Sequence, residues 1–126
     1  MVHFPAPRLC TALFAVAVTA GPALADPSDI VDVMARQAAG AWRFDVTLRH
    51  PDTGWNHYAD GWEVRAPDGR VLGTRTLFHP HVEEQPFTRS LGGVKIPEGI
   101  DTVMVHARCN VDGWADPGVK VTLPRE

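Results

Sequence analysis

The sequence predicts an all-β fold, an immunoglobulin-like (fibronectin-like) antiparallel β-sandwich of about seven strands, and two observations predict it. Apolar residues recur at every second position, as in Trp42, Phe44, Val46 and Leu48 and again in Val103, Val105 and Ala107. In an extended chain that spacing puts all of them on one face, the signature of a half-buried strand. Turn-forming clusters separate such runs at short, regular intervals, as a sandwich requires and a helical domain does not.

The first 25 residues stand apart from this pattern. Arg8 precedes an apolar run from Leu9 to Ala20, and Ala23-Leu24-Ala25 forms a small-residue cleavage site just before Asp26. This is the layout of a secretory signal peptide, cleaved near Ala25. The run is too short to span a bilayer, so the expected product is periplasmic or secreted, without membrane insertion. Cys10 lies ahead of most of the apolar run, the wrong place for a lipid attachment, and would leave with the leader.

Residues 26 to 126 then make a single domain. Strands are expected near 29–36, 42–50, 60–66, 70–79, 86–91, 101–109 and 118–123. The turns between several of them are "AAGA" at 38–41, "APDG" at 66–69, "GG" at 92–93, "PEG" at 97–99 and "DGWADPG" at 112–118. The first segment also reads as a short helix, because Ile30, Val31 and Met34 share helical spacing. "EEQPFTR" at 83–89 reads as a solvated approach to a strand, with Phe87 buried.

Charge and composition exclude several functions. From Asp26 onward 11 Lys and Arg face 15 Asp and Glu, a net of −4, with no basic run to hold nucleic acid. Ser28 and Ser90 are the only serines there, without a nucleophile-elbow motif, and no Gly-rich phosphate loop occurs. Cys109 is the only cysteine after the leader. In an oxidising compartment such a residue is a free thiol, an intermolecular bridge or a metal ligand.

The histidines carry the functional signal. In the usual sandwich order the second and sixth strands run the same way in opposite sheets, so their ends, His50 and Cys109, emerge together. His50 continues the inward row from Trp42 to Leu48, and Cys109 continues the row from Val103 to Ala107, whereas His106 is out of phase and points outward. The loop carrying His57 starts at that rim, and the strand ending in "FHPHV" returns His79 and His81 to it. Pro80 holds His79 extended, which places the two flanking imidazoles on one face.

Imidazole and thiolate are the ligands that iron, copper and zinc prefer, so His50, His57, His79, His81 and Cys109 are the candidate metal ligands. Trp55, Trp62 and Trp114 would limit water access beside them. Each residue also has a plainer reading. The histidines can cap strand ends, Cys109 can be a small core residue, and Asp112 can be a turn former ahead of Gly113 or a carboxylate ligand.

The stretch "HPDTGWNHYADGWEVRAPDGRV" and the later "CNVDGW" resemble the iron-binding domain of the desulfoferrodoxin and superoxide reductase family. His50, Pro51, Thr53, His57, Tyr58, Trp62 with a one-residue shift, and Asp68-Gly69 correspond in the first stretch, where the His50 to His57 spacing is one residue longer than the family's, and Cys109-Asn110 in the second. The resemblance implies an immunoglobulin-like fold and a ferrous centre with four histidines and an axial thiolate, reducing superoxide by one electron. His50 and His57 then match two of the histidines, and Cys109 the thiolate. The chain departs from the pattern at Asp112, where the family has histidine, and no histidine occurs between Asp26 and Arg49.

Iron is thus the metal favoured by resemblance and copper the one favoured by compartment. The implied partner is an external electron donor or a metal-handling protein. The alternative from another class is a metal-free interaction or adhesion module whose histidine-rich rim binds a protein or ligand.

Overall fold

In the computed structural model, residues 26–125 are described together with Val2, His3 and Pro5. The rest of the leader, Cys10 included, lies outside the described residues. Eight strands form two antiparallel sheets: β1 (Asp29–Ala38), β2 (Ala41–Arg49), β3 (Ala59–Arg65), β4 (Val71–Thr76), β5 (Phe87–Val94), β6 (Thr102–Cys109), β7 (Gly113–Trp114) and β8 (Val119–Thr122). One sheet has the order β1-β2-β5. The other has the order β4-β3-β6, with β7 and β8 both paired to β6. This is the expected sandwich, with β7 as a two-residue addition inside the last predicted turn.

The alternating rows become the core. Trp42, Phe44, Val46 and Leu48 of β2 face Trp62 and Val64 of β3 and Val103, Val105 and Ala107 of β6, all buried. Phe87 and Val94 of β5 complete the interior. A side chain at Gly73 of β4 would meet Leu91 Cδ2 at 3.0 Å, so the glycine lets the two sheets approach at this edge.

Two local features refine the sequence reading. The segment read as either strand or helix is β1, an edge strand whose register with β2 shifts between Ile30 and Asp32. That bulge turns both Ile30 and Val33 toward the core, while Val31 and Met34, which carried the helical reading, are exposed. Gly92-Gly93, expected as a turn, lies within β5, where the pairing with β2 slips between Trp42↔Val94 and Phe44↔Leu91. Gly93 has φ 68°, the left-handed conformation that such a bulge uses. The β1–β2 hairpin turns on Ala39 and Gly40, both with positive φ, as a two-residue turn matched to strand twist demands.

His50 follows the last residue of β2 and Cys109 ends β6, so the inward rows deliver both to one end of the sandwich. His50 is 1% exposed and Cys109 is fully buried.

Candidate metal centre

The loop after β2 is built to bring a second histidine back beside the first. After His50 and Pro51 the chain folds on itself, with Thr53 N donating to His57 O at 3.0 Å and His57 N to Gly54 O at 3.2 Å. Asn110, directly after Cys109, clamps the returning arm. Its side chain accepts from Tyr58 N at 2.9 Å and donates to Trp55 O at 3.1 Å, while its backbone N donates to Tyr58 O at 3.1 Å. His57 is thereby fixed over the end of β6.

The result is a group of three side chains of metal-ligating type, two from the connection after β2 and one from the end of β6. Ligand atoms of His50, His57 and Cys109 all lie within 4.8 Å of one another. The His57 Nε2 to Cys109 Sγ distance is 3.5 Å, and the two imidazoles meet edge to face with centroids 4.7 Å apart. Asp112 stands beside them, with Oδ2 3.5 Å from Cys109 Sγ and 3.8 Å from His57 Nε2, and its backbone N donates to Sγ at 3.1 Å. Gly113 follows at φ 74°, so Asp112 is both a turn residue and a carboxylate at the site.

The donor set fits a transition-metal ion. Two imidazoles and a thiol are borderline-to-soft ligands, a carboxylate is within reach, and strand ends rather than loop tips hold the two buried members. Burial is the largest influence on the Cys109 thiol and pushes its pKa up, and the Asp112 carboxylate adds to this, while backbone N–H groups of Asp112 and Val111 oppose it. The thiol is therefore held protonated, and a cation bound there would have to displace that proton.

Asp52 organises the ring of residues around His50. Its carboxylate, fully enclosed, accepts from His50 Nδ1 at 2.5 Å, from Ala59 N at 2.9 Å and from His81 N at 2.8 Å. A carboxylate on one ring nitrogen fixes the orientation of an imidazole and raises its basicity as a ligand. Nε2 of His50 lies within hydrogen-bond distance, 2.8 Å, of the carbonyl oxygen of Asp26, and a metal ion taken up at Nε2 would replace that contact. Gln85 links two loops from the opposite side, accepting from His50 N at 3.0 Å and donating to His81 O at 2.8 Å.

Of the five predicted ligands, the structure brings three together, and His79 and His81 stand outside that group. His81 is buried and stacked on Phe87 with centroids 4.0 Å apart, and its Nε2 is 2.9 Å from the Arg89 guanidinium. Burial, then the neighbouring Arg89, lowers its pKa. His79 is exposed and lies beside His81, centroids 4.6 Å apart, so Pro80 does place the two rings together. His106 points away from the core as expected, yet is covered by the 115–118 segment, with its Nδ1 3.0 Å from Ala115 O.

The indoles do not wall the site as a group. Trp62 is core, Trp55 is 66% exposed against Tyr58, and Trp114 lies under Arg65 and Arg108 on the outer sheet face. Asp52, Gln85 and Asp26 were not legible as site residues. An Asp after Pro in a loop reads as a turn former, and only the assembled loops show what its carboxylate holds.

No protein-family model matches the chain, and no solved structure matches it. A protein of Halomicrobium mukohataei described as "Putative lipoprotein" is 39% identical over 95 residues, which cover 75% of this chain and 46% of that protein. The chain thus spans about half the length of the curated relative it matches.

Proposed function

We propose that this chain is an exported domain that binds a single transition-metal ion through His50, His57 and Cys109. The observation that carries the proposal is the convergence of these three side chains within 4.8 Å from separate segments of one rim. Export rests on the leader-like first 25 residues and is supported by the name of the Halomicrobium relative, since a lipoprotein is an exported protein. The resemblance to the superoxide reductase iron domain favours iron and a one-electron chemistry. With Asp112 where that family has a histidine, copper handling fits the donor set equally.

In this reading the sandwich is a rigid holder. Asp52 orients His50, Asn110 fixes the His57 arm, and Cys109 supplies a thiolate once its proton is displaced. A second reading, an interaction module, is favoured by one observation. Trp55, Phe78, Val82 and Val111, on the same loops as the candidate ligands or next to them, are 66%, 73%, 55% and 60% exposed.

The test is elemental analysis and an optical spectrum of untagged protein recovered after export. Near-stoichiometric iron or copper, with a thiolate charge-transfer band lost in Cys109→Ser, is the expected result. Substoichiometric iron, copper and zinc in the wild type would sink the metal reading. A band that persists in Cys109→Ser removes the cysteine as ligand, and catalytic consumption of added superoxide separates reductase from carrier.

A further inference from the structure

We infer that the α-amino group of Asp26, released when the leader is cleaved, is an additional ligand of this centre, so that the site is completed only after export. The inference rests on the metal reading above and on cleavage after Ala25.

Three contacts place this residue at the site. The carbonyl oxygen of Asp26 lies within hydrogen-bond distance, 2.8 Å, of Nε2 of His50, the ring nitrogen not held by Asp52, so a metal ion taken up at Nε2 would replace that contact and meet the Asp26 backbone. Two residues on, Ser28 is buried and its hydroxyl donates to Arg108 O at 3.1 Å, the residue before Cys109. Asp29 then pairs with Arg49, the residue before His50. The start of the domain is therefore pinned to both strands that deliver buried ligands, and the Asp26 backbone is held at His50.

The chemistry of that backbone changes on cleavage. In the precursor the Asp26 nitrogen is an amide whose lone pair is delocalised into the Ala25 carbonyl, a poor metal donor. In a mature chain beginning at Asp26 it is a primary amine. With the Asp26 carbonyl oxygen it closes a five-membered chelate, and with the β-carboxylate a six-membered one. Pro27 has no N–H, so the next backbone nitrogen cannot join as a deprotonated amide ligand. The chelate thus uses the amine with an oxygen of the same residue, beside His50. Coordination releases a proton from the amine and involves no redox change.

The experiment compares Cu²⁺ and Zn²⁺ affinities, by competition with a chromogenic chelator, for exported wild type and for a form with Gly-Ser inserted between Ala25 and Asp26. Intact mass fixes each N-terminus. A leaderless chain made in the cytosol, which keeps its initiator Met ahead of Asp26, displaces the amine without relying on cleavage. The expected result is affinity at least tenfold weaker in both displaced forms, with unchanged circular dichroism and thermal midpoint in excess chelator. Equal affinity in all forms, still abolished by His57→Ala and Cys109→Ser, overturns this inference and leaves the metal reading standing. A mature N-terminus other than Asp26 also overturns it. Absence of binding in every form overturns both.

Discussion

Removing the Asp52 carboxylate should be among the most damaging single changes in this domain, even with no metal present. The side chain is fully enclosed and holds three donors, His50 Nδ1, Ala59 N and His81 N, at 2.5, 2.9 and 2.8 Å. In Asp52→Ala all three lose their acceptor, in a space that only a few water molecules could refill. A buried donor left unsatisfied costs roughly 1–3 kcal/mol, so three of them amount to something on the order of 3–9 kcal/mol. Since a domain of this size is stable by about 5–15 kcal/mol, Asp52→Ala should be largely unfolded or close to it. Asp52→Asn keeps the shape and one acceptor oxygen. Oriented to serve Ala59 N and His50, its amide NH₂ faces His81 N–H, and the cost is that of one lost bond, roughly 1–3 kcal/mol. The assay is urea unfolding by fluorescence and circular dichroism in excess EDTA. If Asp52→Ala lowers stability by less than about 1 kcal/mol, or if Asn is as damaging as Ala, the three-donor account is wrong.

Other perturbations test separate parts of the structure. Gly118→Ala would set a Cβ 2.5 to 2.8 Å from ring atoms of His106, which is only 7% exposed and cannot swing clear; a loss of about 1–3 kcal/mol is expected in thermal melts, and a wild-type midpoint would show the ring is freer than it looks. His81 has its folded pKa lowered by burial, so the folded state takes up its proton less readily than the unfolded chain does. Its contribution is present above the unfolded value of about 6.5 and is lost as pH falls below that value. The urea midpoint of metal-free protein should therefore fall between pH 7 and pH 5, and less steeply in His81→Gln; parallel profiles would remove the assignment. For Cys109, burial and the raised pKa predict slow reaction with a thiol reagent at pH 7, much slower than in urea, and slower still with bound metal. Rapid labelling of native protein would mean the thiol is not enclosed.

Much of this architecture was legible because it follows from alternation. The inward rows of β2 and β6 were readable to their last residues, and extending them one step placed His50 and Cys109 in inward phase at the same rim. The same rule failed where a bulge changes the period, as at Ile30 to Val33 in β1 and at Gly92-Gly93 in β5. Loop chemistry was less readable. "HPH" does bring two imidazoles side by side, but β4 ends at Thr76, and the Asp52 carboxylate takes the backbone of His81 while Arg89 takes its ring. Those are contacts over eight and 29 residues of separation, which no local spacing encodes.

Among the described residues nothing pairs with the outer edge of the ten-residue strand β1, and a long unpaired backbone edge is an invitation to pair with any extended chain that passes. Such an edge is a hazard of self-association. The register break at Ile30/Asp32 bends the strand out of the flat geometry an added strand would need, and Asp29, Asp32 and Arg36 place charge along it. The bulge and the charges of β1 thus work against extension of the folded domain into a larger sheet.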